Sequence, residues 1–524
     1  MKVVLPSRME KKFLLFGARG SQPSLPWWGC PHAIKPIRQM KEMSGPHPKE
    51  PTDLVVPLNH GTTLRAFRQM CIPWTVAFFL AAMLLVRTAL LVARYHVNVP
   101  YLDQWWLLPV ILRDREAGSL PWGYLWHQNA EHRLFFPKLI MVWLARYSGW
   151  NLRWELVANF VIAGLTTILM SCEFWSRQRE LGQKLWPWFL PIASASIFTL
   201  AAYENWIWSW QLPYFLVVLC SVISTGCIAR TYLSPLLLVA GATAAAIATF
   251  SFATGAAVWF ASAITMLCLP MPSEQKRRLL LLWILCASAC FSGYLIGYEF
   301  LRWNDPVAAV FSLGHFLGYI CTYLGAALVP THWVYPAAVL GLAYLVLGTA
   351  IILHIGRKRN VAQAYAPFLG WWAFSVGAAF LTAVGRSNVH DWTQAMTPRY
   401  ITYSLVGWIG LFAMGVIGVL SSELRRGTSR ASAIVLAIFV VDILGMSLYG
   451  ERGLVGMSQQ MRDGAMELQE LKDLGKLRKI YAEPVQLRDE FGPQLKAHRL
   501  CLFKESPRDT TSSTVREPIR LPLR

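Results

Sequence analysis

The run YLDQWWLLPVILRDREAGSLPWGYLWHQNAEHRLFFPKL, residues 101–139, follows the first long apolar segment of the chain. It holds Asp103, Glu131, His132 and Arg133 among Trp105, Trp106, Trp122 and Trp126. It is too polar to cross a bilayer and too aromatic for an ordinary linker. A charged cluster ringed by indoles fits a loop at the membrane–water interface, where amphipathic aromatic rings prefer to sit. We read it as the floor of a site on the outer face of a membrane protein. The plainer reading is a wet loop with an aromatic belt and no chemistry.

Composition supports the membrane setting. Of 524 residues, 55% are hydrophobic and only 15% charged, against roughly 45–50% and about 25% in soluble domains. Several apolar stretches reach the roughly 18–20 residues a spanning helix needs. The formal net charge of +20 is first a topology signal, because Lys and Arg gather in cytoplasmic loops; part of it can meet anionic lipid headgroups. The basic residues lie in short clusters between spans, which argues against nucleic acid as a partner. None of the ten cysteines forms a C-x-x-C pair and most fall in apolar runs, so they read as small buried hydrophobes. Glycine-rich nucleotide loops are absent, which argues against a soluble nucleotide-sugar or ATP site.

The expected architecture is an all-α polytopic membrane protein with about eleven transmembrane helices. Residues 1–70 read as a basic, disordered cytoplasmic tail, or as an over-extended start ahead of Met70. Residues 71–450 form the transmembrane domain, and 451–524 an outer-face tail with a surface helix. Spans are expected at 72–93, 154–175, 186–202, 213–232, 235–250, 254–270, 279–300, 336–355, 364–384, 401–420 and 431–449. The first outer loop, 95–153, would carry an amphipathic helix at 103–116, with Asp114, Arg115 and Glu116 on its solvated face. Residues 134–148 are short for a span and suit a juxtamembrane helix; 307–330 stays ambiguous. In this scheme the short basic loops around Arg177, Arg230, Lys276 and Arg357 all lie inside. The N-terminus is then cytoplasmic and the C-terminus periplasmic.

Three outer loops carry the polar residues that could converge. They hold Asp103 with Glu131, His132 and Arg133; Glu204 with Asn205; and Arg386, His390, Asp391, Arg399 and Tyr400. Carboxylates there can deprotonate an acceptor or hold a divalent metal such as Mg or Mn. Arginines suit a phosphate, which the guanidinium meets bidentately. Trp105 and Trp106 suit sugar rings or isoprene units. An unpaired Asp103 in an aromatic setting would be costly to bury, which favours a functional role for it. Arg87, inside the first span, either lines a cavity or snorkels.

At these residues the chain resembles the GT-C superfamily of membrane glycosyltransferases, including protein O-mannosyltransferases and aminoarabinose transferases. Asp103 matches the acidic position after the family's first span. The stretch from Glu131 to Leu139 stands where a His-Pro-Pro-Leu type motif would, in altered form, and Glu204 matches the acidic position of the second loop. The resemblance implies a polyprenyl-phosphate sugar donor. It makes Asp103 the candidate base, with Glu131 and Glu204 beside it in the catalytic set. Arg133, Arg386 and Arg399 become donor-phosphate contacts, and His132, Asn205, His390, Tyr400, Trp105 and Trp106 further substrate contacts. The expected setting is a bacterial inner membrane. Two other readings stand beside it: an O-antigen polymerase or ligase, and a transporter or flippase of lipid-linked glycans.

Overall fold

The computed structural model describes residues 60–300, 305–357, 359–420 and 426–504. Of the tail expected at 1–70, residues 1–59 lie outside this description, as do the last residues, from 505 onward; residues 60–70 are corrected to helix, because they continue into the first span. Every regular element among the described residues is helical. Among the described residues, eight helices are long and apolar enough to cross a membrane, and three shorter apolar helices accompany them. Outward-facing Leu, Ile, Val and Phe side chains on the spans, such as Phe78, Leu285, Leu342 and Val441, are exposed, as expected of surfaces solvated by lipid.

The chain begins with α1 (His60–Tyr95), whose apolar part ends just before the aromatic loop. That loop folds as a 3-10 turn at Leu102–Leu107, then α2 (Leu108–Ala117), α3 (Trp122–Trp126) and α4 (Phe135–Ser148). The expected helix at 103–116 is therefore two pieces, joined where Pro109 opens α2. Asp114 is not solvated as the sequence suggests: it is 2% exposed and takes Nε and Nη2 of Arg146 from α4 at 3.1 and 2.6 Å. At 14 residues, α4 is short of spanning length.

The spans continue with α5 (Arg153–Glu180) and α6 (Phe189–Ile197). The expected span at 186–202 is corrected here, because α6 has only nine residues and gives way to a 3-10 turn at Leu200–Ala202. Backbone groups freed by such a break must find partners inside the protein. The carbonyl of Phe198 accepts from the Thr88 hydroxyl at 2.7 Å, and the Leu200 N–H donates to Ser447 at 3.1 Å. The break puts α7 (Tyr203–Ile207) and a second 3-10 turn, Ser209–Gln211, beside the aromatic loop before α8 (Leu212–Ile228) begins.

A short hairpin follows, α9 (Leu236–Thr249) and α10 (Ala257–Cys268), with residues 250–256 at its tip. Next come α11 (Ser273–Leu295), α12 (Pro306–Phe311) and α13 (Leu313–Gly325). The ambiguous segment 307–330 is thus broken at Ser312, the residue between α12 and α13. The chain then runs through α14 (Val334–Arg357), α15 (Arg359–Arg386), α16 (Trp392–Ala395) and α17 (Pro398–Leu420).

The last helix, α18 (Arg426–Glu470), is 45 residues long. It carries both the expected final span and most of the expected surface helix as one unbroken rod. The periodic apolar residues of its second half are covered only in part: Met461 and Leu468 are buried, while Met466 is exposed. Residues 474–503 fold back as a cap of short turns on the aromatic loop. Within that cap and loop, Leu102 N–H donates to the Ile480 carbonyl and Cys501 N–H to that of Gly149. Arg87 is paired within the bundle: α18 supplies Glu451 and Ser447 to its guanidinium at 2.7 and 3.3 Å.

Candidate functional site

The helix ends that meet at the aromatic loop enclose a cavity of about 490 Å³. Asp103, Trp106, Glu131, His132, Arg386, Arg399 and Tyr400, seven of the residues expected from the sequence, line it. They come from four separate segments, the 3-10 turn after α1, the 129–132 turn, the end of α15 and the start of α17. The hairpin tip supplies Phe252 and Thr254, and α11 supplies Tyr294 with the nearby Tyr298.

Asp103 is exposed and not buried as its aromatic setting suggests; its side chain faces the cavity, and no described residue makes a hydrogen bond or ion pair to its carboxylate. Surrounding protein, which disfavours the anion, raises its pKa above the ordinary carboxylate value; Arg399 and Arg386 oppose that shift and Glu131 adds to it. Its backbone is held firmly. The carbonyl of Ile480, in the C-terminal cap, accepts from Leu102 N–H at 2.7 Å and from the Trp105 indole N–H at 3.1 Å. One oxygen thus grips both neighbours of the Asp103–Gln104 step. Leu102 sits there at φ 46°, a left-handed conformation that costs a non-glycine residue about 1 kcal/mol. Trp105 is fully buried and stacks on Phe491. Its role is to fix the turn, whereas Trp106 faces the cavity.

Glu131 sits on a tight turn closed by reciprocal 2.8 Å backbone bonds between Asn129 and His132, with Ala130 at φ 46°. Its Oε1 takes a hydrogen bond from Arg386 Nη2, while its buried Oε2 has no partner. His132 stacks on Phe252 with ring centroids 3.7 Å apart. Burial, only partly offset by Glu131, lowers its pKa to about 4, so it is neutral at pH 7. The Ala253 N–H points at its Nδ1 at 3.4 Å, which leaves the proton on Nε2, the nitrogen 3.4 Å from Glu131.

Arg133 departs from the expected phosphate contact. It is 2% exposed, and its guanidinium donates to the carbonyls of Tyr294, Trp126 and Ile296 at 2.6, 2.8 and 2.5 Å. It ties the turn to the end of α11 and does not line the cavity. Asn205 likewise bridges α7 to α17, donating to the Arg399 carbonyl and to Thr402 at 2.9 and 2.8 Å. His390 is exposed and outside the cavity; its carbonyl lies 3.1 Å from His315 Nε2.

Glu204 and Arg399 face each other at 3.6 Å. Glu204 lines a second, smaller cavity that shares Arg399 and Trp208 with the first. Among the described residues no group of three or more His, Cys, Asp or Glu is arranged to hold a metal ion. Glu131 and Glu204, the carboxylates the sequence offers to a divalent metal, each already face an arginine.

Several lining residues escape a sequence reading. Thr254, whose buried hydroxyl has no partner, sits at the tip of a hairpin that looks like two ordinary spans. Tyr294 and Tyr298 both donate to the Glu131 carbonyl, at 2.7 and 3.4 Å. Their one visible signal is the i, i+4 spacing of two phenols at the end of an apolar helix. Outside the lining, Glu155 is the largest surprise. It is buried at the start of α5, where Trp150 reaches Oε1 and Gln104 and Ser209 reach Oε2 at 3.1, 2.7 and 2.8 Å. It knots α5, the 102–107 turn and the 209–211 turn together beneath Asp103.

What the fold and site define is a helical, multi-pass membrane protein with a mainly apolar, aromatic-lined cavity, carrying a few charged groups, at one end of its helices. No protein-family model and no curated protein matches the chain.

Proposed function

We propose that this chain is an integral membrane glycosyltransferase of the GT-C kind. It moves a sugar from a polyprenyl phosphate to a glycan, lipid or protein acceptor at the outer face of a bacterial inner membrane. The observation that carries the reading is the convergence of an unpartnered carboxylate, Asp103, with Arg386 and Arg399 in one aromatic-walled cavity. A cavity of this size, with a few polar groups in an otherwise aromatic and aliphatic wall, is typical of small-ligand sites.

In this reading Asp103 takes the proton of the acceptor hydroxyl as its oxygen attacks the anomeric carbon. The bond from that carbon to the phosphate oxygen breaks, and its electron pair leaves with the polyprenyl phosphate. Arg386 and Arg399 meet that phosphate, and attack from the opposite face inverts the anomeric centre. Glu131 aims Arg386, and neutral His132 holds Glu131 in turn. Phe291, Phe300 and Leu381 supply an apolar part of the lining for the first isoprene units of the carrier.

The test is turnover of synthetic polyprenyl-phosphate sugars by the purified chain in nanodiscs. Wild type should release polyprenyl phosphate and form product. Asp103→Asn should retain donor binding and lose transfer by about 1000-fold, the middle of the range for a general base. Asp103→Asn with full activity would remove the base assignment, and a wild-type chain that consumes none of these donors would remove the reading itself.

A further inference from the structure

Between the 102–107 turn, α7 and α18 lies the second cavity, of about 310 Å³. Leu102 lines it while its neighbour Asp103 lines the first cavity, and Arg399 and Trp208 line both. The two spaces therefore meet at one guanidinium and one indole, next to the carboxylate. Around the second cavity stand the aromatic rings of Tyr101, Tyr203 and Trp208 and the polar ends of Glu204 and Gln460. Tyr101 meets Trp208 edge to face at 5.4 Å. The Oε2 of Glu204 and the indole N–H of Trp208 are buried and have no hydrogen-bond partner. The floor is backbone. Any side chain at Gly453 would strike the Tyr203 ring, whereas a Cβ on Gly456 would meet nothing within 4 Å.

We infer that this second cavity binds the acceptor, and that the acceptor is a carbohydrate presenting one sugar ring there. Three features select that chemistry. The volume lies at the small end of ligand pockets, which begin near roughly 300 Å³, so it suits a single ring. Glu204 lines this cavity and not the first, whereas Arg399 is shared between them, so the carboxylate here favours a neutral occupant over an anion. Aromatic faces beside a carboxylate and an amide offer what a sugar ring needs: apolar contact for its C–H faces and acceptors for its hydroxyls. The occupant's role as acceptor rests on the transfer reading; its identity as a sugar does not. A hydroxyl extended past Arg399 and Trp208 from this cavity arrives beside Asp103.

The test uses the full-length chain in nanodiscs with its accessible native cysteines replaced by serine. One reporter thiol is placed in each cavity, Gly456→Cys in the second and Ala130→Cys in the first. Labelling rates with a small thiosulfonate reagent are read with a panel of methyl glycosides at millimolar concentration, with a short-chain polyprenyl phosphate, and with inorganic phosphate. Both thiols should label freely without additive. At least one glycoside should slow labelling several-fold at 456 and leave 130 unchanged, and Glu204→Ala should abolish that protection. Polyprenyl phosphate should protect 130 and not 456. Failure of 456 to label, protection by none of the glycosides, or equal protection there by inorganic phosphate would overturn the inference. Glycoside protection at 456 with no polyprenyl-phosphate protection at 130 would leave the sugar site standing and remove the transfer reading.

Discussion

Glu173 and Asp103 lie near opposite ends of the bundle. The first is set near the basic end of α5; the second sits above that helix's other end, where Glu155 anchors the turn roughly 27 Å away along the axis. Both oxygens of Glu173 are taken, one by Arg177 Nε at 2.8 Å and the other by Arg230 Nη1 at 2.5 Å. Glu155 is saturated in the same way by Trp150, Gln104 and Ser209. Asp103 has no such partners and faces a cavity, and Glu131 leaves one buried oxygen without any. The same residue types thus serve two purposes. Where the protein completes a carboxylate's hydrogen bonds itself, the group joins helices; where it leaves them open beside arginines, a ligand can complete them.

Breaking each carboxylate separately should expose that difference. Asp103→Asn should cost about 1000-fold in transfer with an unchanged melting curve. Glu173→Gln should do the reverse. It leaves Arg177 and Arg230 short of a buried counter-charge, which costs about 3 kcal/mol, visible as a lower melting temperature in detergent with turnover per folded molecule preserved. Equal effects of the two substitutions on both readouts would erase the contrast.

A smaller effect sharpens the picture of how Asp103 is aimed. Trp105→Phe keeps the stacking on Phe491 but removes one of the two donors to the Ile480 carbonyl, an interaction worth about 1 kcal/mol. It should lower kcat about fivefold and leave the donor KM unchanged. A change in KM alone would show that the cap shapes binding and leaves the base untouched.

The smallest effect is on pH dependence. The protein surrounding the exposed Asp103 carboxylate raises its pKa above the ordinary value of 3.8. The active form is the anion, so turnover should fall as pH drops through that raised value. Arg399 stabilises the anion and Glu131 destabilises it. On residual turnover, Arg399→Gln should move the acid limb to higher pH and Glu131→Gln to lower pH. Shifts of the opposite sign would mean that another group carries the limb.

How much of this was legible in the sequence differs by kind of residue. The membrane helices follow from long apolar runs, and Asp103, Glu131, Arg386 and Arg399 stood out because charge beside spans is expensive and needs a reason. Arg133 looked equivalent to Arg386, because sequence does not reveal that three backbone carbonyls from other segments hold the Arg133 guanidinium, whereas that of Arg386 meets Glu131 at the cavity. Asp114 and Glu155 have the look of surface acids, and their burial depends on partners at 146 and at 104 and 209, contacts no local pattern encodes. The break after α6 was hidden because residues 186–202 carry no charge and are mostly apolar; distant partners, Thr88 and Ser447, together with the local cap from Thr199, make a helix end there acceptable.

The central claim is that the open cavity faces outward while the basic helix ends face the cytoplasm. Single cysteines at Gln128, in the aromatic loop, and Glu180, at the end of α5, can be exposed in intact cells to an impermeant thiol reagent. The background would be a variant without other accessible thiols. Labelling at 128 and not at 180 is the result predicted here. Labelling at 180 and not at 128 would turn the cavity toward the cytoplasm, away from any outward-facing lipid-linked sugar, and would contradict the account.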